Sequence, residues 1–213
     1  MAKFYDLRVR GFSEGILSSL KQLGYGIVAV TWPWPSEWEG ISEEMKSARG
    51  KAREIGLDVL FRADIKAYDA NSYHRAVDKA RDRFDLLCLE EASPDLIMRV
   101  NIRRVDLIDV STAPIRALWK IRGMEVYLDL ELAKVVRILK KRDERKLSWL
   151  SKKASLADSI GSRIVVTSGA SNPLEVFSPI DSAYLFSSLI GSRSVNKKYV
   201  LTYPASLIGG GKI

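Results

Sequence analysis

Seven short runs of apolar and β-branched residues punctuate the chain, at 4–7, 26–30, 58–61, 85–89, 105–110, 125–128 and 163–167. Most are near-continuously apolar rather than strictly alternating, which predicts strands covered on both faces, as in a parallel sheet. The segments between them carry helical spacing. Ser13 precedes the stripe Ile16, Leu17, Leu20 and Leu23, and Gly24 stands where the helix should stop, so cap, apolar face and terminator agree. Similar patterns predict helices over 42–55, 71–83, 94–102, 114–121, 130–141 and 179–190.

This βα repetition is compatible with a doubly wound sheet or a closed barrel. No glycine-rich dinucleotide fingerprint follows an early strand. The preferred reading is therefore an α/β fold, a (β/α) TIM-like barrel of seven to eight parallel strands surrounded by helices. A single domain over 1–207 and a frayed, glycine-rich tail over 208–213 are expected. Two stretches break the rhythm. Trp32-Pro33-Trp34-Pro35-Ser36-Glu37-Trp38 reads as an ordered aromatic loop after the second strand, either a stacking or docking surface or a rigid lid. The run at 140–146 separates the stripe of Leu132, Val135, Val136 and Leu139 from that of Leu147, Leu150 and Ala154, and reads as an exposed junction between two helices.

Composition changes the picture. The chain of 213 residues has one histidine, His74, and one cysteine, Cys88, so neither a multi-histidine metal site nor an intrachain disulfide can be built. Cys88 lies in an apolar run and reads as core; His74 lies early in a helix, away from strand ends, and reads as a surface or cap residue. There is no apolar stretch of the roughly 18 residues that a membrane span needs and no signal-peptide core, which predicts a cytoplasmic protein with no membrane partner.

Barrel enzymes place their chemistry at strand C-terminal ends. Those positions hold Asp6 to Arg8, Thr31, Asp64, Glu90 with Glu91, Asp109 to Thr112, Asp129, and Thr167 with Ser168. Asp6, Glu90, Asp109 and Asp129 could ligate a hard cation, but acidic residues after strands also cap helices, and capping is the preferred reading. Thr167 to Pro173 is a hydroxyl- and glycine-rich loop that fits either a phosphate cradle or a tight turn.

The formal charge of +8 favours a polyanionic partner. Cations recur just before strands: Lys21, Arg81 and Arg83, Arg103 and Arg104, Lys120 and Arg122, and Arg163. In a barrel these share the N-terminal rim. There they fit either a phosphate backbone or the C-terminal ends of helices, whose dipoles favour cations by about 0.3–1 kcal/mol each. Arg137, Lys141, Arg145 and Lys152, with Trp149 alongside, form a second basic patch that also reads as a solvated helix face.

Tyr5-Asp6-Leu7, Val105-Asp106-Leu107-Ile108-Asp109, Thr167-Ser168-Gly169-Ala170, Ser178-Pro179-Ile180-Asp181 and Tyr203-Pro204 resemble, in order and spacing, the archaeal ribonuclease P protein component 3 family, which is related to the PHP phosphoesterases. The PHP relatives carry paired histidines after the first strand, where this chain has Asp6-Leu7-Arg8. The resemblance implies a PHP-like barrel without catalytic or metal residues of its own, acting as an RNA-binding subunit of the ribonucleoprotein that removes the 5′ leader of precursor tRNA. It also implies the ribonuclease P RNA as partner, precursor tRNA indirectly, a ferredoxin-like component 2 in a heterotetramer and other protein subunits, with Mg²⁺ serving the RNA component. Arg81, Arg99, Arg103, Arg104, Lys120, Arg122, Arg163, Lys197 and Lys198 are the candidate phosphate contacts. The alternative is a PHP-like metal phosphoesterase using Asp6, Glu90, Asp109 and Asp129.

Overall fold

The computed structural model describes residues 3–34 and 38–209. Each apolar run becomes a strand: β1 Phe4–Val9, β2 Tyr25–Trp34, β3 Asp58–Ala67, β4 Leu86–Ala92, β5 Leu107–Asp109, β6 Tyr127–Glu131 and β7 Ile164–Thr167. Consecutive strands pair in parallel, in the order β1 to β7. The ring nearly closes where Val9 bridges Ala170, just beyond β7, with Gly169 N–H donating to the Arg8 carbonyl (2.9 Å) and Arg10 N–H to the Ala170 carbonyl (2.8 Å). The result is a seven-stranded, TIM-like barrel wrapped by helices.

The helices are α1 Glu14–Gln22, α2 Trp38–Glu54, α3 Ala70–Arg81, α4 Pro94–Arg99, α5 Ile115–Ile121, α6 Leu132–Lys140, α7 Glu144–Ser159, α8 Pro179–Leu189 and α9 Thr202–Gly209. Local chemistry explains their ends. Ser13 accepts from Ile16 N–H to start α1, and Ser93 and Ser178 start α4 and α8 ahead of a first-turn proline. The segment expected as one helix over 94–102 divides, because Asn101 caps a separate 3₁₀ turn, Ile102–Arg104. The helix expected from 130 begins at Leu132, since Leu130 and Glu131 still belong to β6. The basic junction is a tight reversal: Arg142 takes φ 51° and Asp143 caps α7 through Lys146 N–H.

The tryptophans do not form a loop. Trp32 and Trp34 lie on β2, pointing outward beneath α2 and α3, packed edge-on against Phe61 and Phe84. Their indole N–H groups are taken by Glu44 (2.7 Å) and the Ala76 carbonyl (3.0 Å), so neither ring is available for stacking on a base. The expected loop residues 35–37 and the Trp38 side chain lie outside the described residues.

Inside the ring, Leu7, Ala29, Leu86, Cys88, Leu107, Tyr127 and Val165 make an apolar lower layer, against which Leu207, Ile208 and Tyr203 of α9 close the floor. Cys88 is fully buried there, as the sequence predicts. Ile208 and Gly209 thus belong to a helix that seals the barrel, whereas the expected fraying began at 208; residues 210–213 lie outside the described residues. A register irregularity between Asp6 and Val9 turns successive residues, Leu7 and Arg8, into the interior. Leu7 joins the apolar layer; Arg8 starts a layer of another kind.

Gly169 is fixed by this closure. It sits at φ 65°, and a Cβ there would lie 2.3 Å from the Glu131 side chain, beneath the closing bridge. Gly169→Ala is expected to lower stability by about 2–3 kcal/mol, read by thermal or urea denaturation, whereas Ala at the open position Gly123 should cost less than half as much.

Candidate functional site

Above the apolar layer the interior is ionic. Arg62, Asp64, Glu90, Asp109, Asp129 and Glu131 are all 5% exposed or less, and Arg8 at their centre is fully buried. Period-two alternation puts Arg62 and Asp64 inside while Phe61, Ala63 and Ile65 pack outward. The Arg8 guanidinium reaches Asp64 (2.5 Å), Glu90 (2.5 Å), Asp109 (3.2 Å), Asp129 (3.0 Å) and Glu131 (3.0 Å). Arg62 holds Asp64 (2.8 Å), Asp129 (2.5 Å) and the Leu7 carbonyl (2.9 Å). Arg10 bridges Glu90 and Glu131 from above, and Arg137 adds a bond to Glu131.

Glu90, Asp109 and Glu131 bring carboxylate oxygens within 4.8 Å of one another, the spacing of a divalent-cation ligand set. A cation is already among them. Lys134 Nζ lies 2.5 Å from Asp109 and 3.7 Å from both Glu90 and Glu131, and Arg8 and Arg10 contact the same oxygens. Among the described residues, the carboxylates Asp64, Glu90, Asp109, Asp129 and Glu131 are matched by the cations Arg8, Arg10, Arg62, Lys134 and Arg137, five against five. A metal ion entering here would have to displace Lys134 and Arg10 and would stand beside the Arg8 guanidinium, whose fully buried charge would lose partners at a cost of several kcal/mol.

The donor set therefore fits a cross-linked ionic plug better than a metal centre. The capping role expected for Glu90, Asp109 and Asp129 is corrected accordingly: Ser93, Pro114 and Glu131 occupy the N-cap positions of α4, α5 and α6, while the three carboxylates turn inward to the cations. Only Asp109 does some turn work as well, accepting from Ser111 N–H at 2.7 Å.

The Thr167 to Pro173 loop is a seam. Thr167 donates to Asp129, Ser168 N–H to Asp6, Gly169 N–H to Arg8, Ala170 N–H to the Ser168 hydroxyl and Ser171 N–H to Glu175. Its backbone donors are occupied by the fold and none of these is left to cradle a phosphate. His74 is half-buried on α3, its Nδ1 3.3 Å from Arg104, and stands apart from the ionic layer.

On the rim, the predicted phosphate contacts divide. Arg81 is tied to Asp106 and to the Arg104 carbonyl, Arg104 pairs with Asp78, and Lys120 satisfies the carbonyls of Ile97 and Met98 at the end of α4. Arg163 lies against the Tyr127 ring and hydroxyl, and Lys198 pairs with Asp158 beside Tyr199. Arg99, Arg103, Arg122 and Lys197 are exposed. Arg81, Arg83, Arg103 and Arg104 line one open depression of about 550 Å³.

The cluster residues not assigned a role from sequence are the buried Arg8, Arg62 and Glu131 and the partly exposed Arg10 and Lys134. Charged residues inside strands, spaced two apart as Arg8-x-Arg10 and Arg62-x-Asp64 are, were the available signal.

No protein-family model and no curated protein matches the chain. Among solved structures, it superposes on a chain of a cryo-EM structure of archaeal ribonuclease P with mature tRNA with TM-score 0.78 at 16% identity, over 97% of this chain and 90% of that one. The two share one fold. The resemblance seen in the sequence thus extends to the architecture. The histidinol phosphate phosphatase of Lactococcus lactis, solved with zinc, L-histidinol and phosphate, matches with TM-score 0.60 at 10% identity, over 93% of this chain and 98% of that one. That likeness is one of barrel fold. Among the described residues no helix is long and apolar enough to cross a membrane.

The ionic layer gives the protein a pH signature. Burial would raise the Asp109 carboxyl, but Lys134 and Arg8 outweigh it and hold it down at about 2. Its contribution is complete above the ordinary carboxylate range and is lost as pH falls toward 2. Asp6 behaves oppositely: burial pushes it up to about 6 against bonds from Ser168 and Arg8, and its Oδ2 has no partner. Its ionisation destabilises the fold progressively as pH rises from about 4 to 6. Asp6→Asn is expected to match the wild type near pH 4 and to exceed it by about 1–2 kcal/mol at pH 7; a stability difference that does not change with pH would show that Asp6 is not buried as a strained anion.

Proposed function

We propose that this chain is a non-catalytic, RNA-binding protein subunit of a ribonuclease P, the ribonucleoprotein that removes the 5′ leader of precursor tRNA. The observation that carries the reading is the superposition on a chain of archaeal ribonuclease P across 97% of this chain. The interior adds support from chemistry. A phosphatase barrel of the same fold was solved with zinc, whereas the strand-end carboxylates of this chain are already neutralised by Arg8, Arg10 and Lys134. Catalysis, in this reading, belongs to an RNA component with its own Mg²⁺. The protein would act electrostatically, its exposed rim cations releasing counterions from RNA phosphates while a component 2 partner and other subunits complete the assembly. The site of action would be the cytoplasm.

Reconstitution tests this directly. The protein by itself should leave precursor tRNA intact with Mg²⁺ or Mn²⁺, and should accelerate cleavage when added to the ribonuclease P RNA and its other subunits. Replacing Arg103 and Arg122 together by Gln should weaken RNA binding and lower the salt slope, by about one unit for each phosphate no longer neutralised. Leader cleavage by the protein without RNA would overturn the proposal.

The second reading, a metal phosphoesterase, is favoured by one observation, the close approach of Glu90, Asp109 and Glu131. Lys134 decides between the two. Wild-type thermal stability should not respond to Mn²⁺. Lys134→Met should be destabilised by about 3 kcal/mol through loss of one positive charge from the Asp109, Glu90 and Glu131 cluster, and Mn²⁺ should recover part of that loss. Stabilisation of the wild type by Mn²⁺ would favour the phosphoesterase.

A further inference from the structure

The basic patch around Trp149 reads from sequence as one solvated helix face, but the fold makes something else of it. Its residues come from two helices: Arg137 is on α6, Lys141 follows its last turn, and Arg145, Trp149 and Lys152 are on α7. The reversal at Arg142 and Asp143 folds the two helices against each other, so that Trp149 stands between two basic hollows. The hollow on the barrel side, about 460 Å³, is lined by Arg137, Lys141, Lys146 and the apolar Ile138 and Leu150. The outer one, about 670 Å³, is lined by Arg145, Lys146 and Lys152. Trp149 itself is 52% exposed, whereas Trp32 and Trp34 are buried.

Charge here is matched only in part: Arg137 is shared with Glu131 of the barrel interior (2.8 Å), whereas among the described residues Lys141, Arg145 and Lys152 have no carboxylate within ion-pair distance. Asp143 is the acidic residue lining both hollows, and it is occupied as the α7 cap and as the partner of Lys146. Lys153, only 4% exposed, lies beneath the indole with Nζ 5.5 Å from the ring. It is held by the carbonyls of Ser111 (2.9 Å) and Val110 (3.5 Å), and among the described residues no carboxylate is within ion-pair distance. Burial lowers its pKa, with a smaller opposing effect from Asp109. A nearly buried ammonium without a counterion, under an exposed aromatic face and beside five exposed cations, is an arrangement completed by an anion that carries a flat ring.

We propose that the Trp149 hollow binds an unpaired nucleotide of an RNA strand, its base stacked on the indole and its flanking phosphates held by Arg137, Lys141 and Lys146. The hollow has the size of a small-ligand site, and its combination of π-face and cations is that of single-strand platforms. An acidic peptide would satisfy the charge but leave the indole face unused. Duplex RNA keeps its bases stacked internally and cannot offer one to Trp149. The proposal rests on the RNA-binding reading for its ligand class, but it uses a different face of the protein from the rim.

The test is equilibrium binding of the full chain to a uridylate 12-mer, to a 12-base-pair RNA duplex, to UMP and to a glutamate-rich peptide. Trp149→Ala should weaken 12-mer binding about tenfold while leaving duplex affinity and the salt slope unchanged, and Trp149→Phe should restore most of the loss. Lys141→Gln with Lys146→Gln should weaken the 12-mer and reduce its salt slope by about 1–2. Unaltered melting temperatures separate these effects from misfolding. Equal 12-mer affinity for wild type and Trp149→Ala would overturn the site, and if Arg103→Gln with Arg122→Gln still weakened RNA binding, the broader RNA reading would survive. UMP binding as tight as the 12-mer, or displacement of the 12-mer from Trp149 by the peptide at equal concentration, would overturn the RNA strand as its occupant. Failure of all RNA probes to bind would remove both readings together.

Discussion

The Arg8 guanidinium is the centre on which the barrel's upper half depends. It is fully buried, and its two terminal nitrogens touch carboxylates delivered by β3, β4, β5 and β6 from a position on β1. A planar donor with a fixed fork can cross-link several strands at once, which an ammonium on a flexible stem cannot do as well. The arrangement is costly to desolvate and succeeds only because each buried charge is met by another. Removing one cation therefore disturbs the whole set rather than a single pair.

This constraint reaches into the backbone. Arg8 faces inward only because the β1 register breaks after Asp6, and Glu131 can reach the cluster only because Gly169 leaves room beside it. The same stretch of chain, from Thr167 to Ala170, spends its hydrogen-bonding groups on Asp129, Asp6 and Arg8. Barrel closure and charge compensation are thus one event. A loop that in other barrels is free to hold a ligand is here used to join the last strand to the first.

Much of the fold was legible in the sequence because seven apolar runs with helical patterns between them leave few topologies for a parallel sheet. The site was less so. Arg62 and Asp64 alternate with Ala63 and Ile65 in a way that reads as a strand with one polar face, but nothing local says that this face is the inside of a barrel. Glu90, Asp109 and Asp129 were visible as strand-end carboxylates, yet capping and ion pairing demand the same residue types at the same places. Their partner Lys134 lies in a helix after β6 and becomes identifiable only when the strands curve round to meet it. Trp32 and Trp34 were misleading for a related reason: their spacing of two is a strand signal, obscured by the prolines beside them.

The floor of the barrel has a bearing on how the molecule is made. Leu207 and Ile208 of α9 cover an apolar layer built from strands that begin as early as Leu7, so the two sides of that contact are separated by nearly the whole domain. During synthesis every strand is made before the segment that shields their inner surface exists. Until then the ring is an open-bottomed cylinder with an oily lower bore, and its assembly is slow to become final because the contact that ends it is the most distant in sequence.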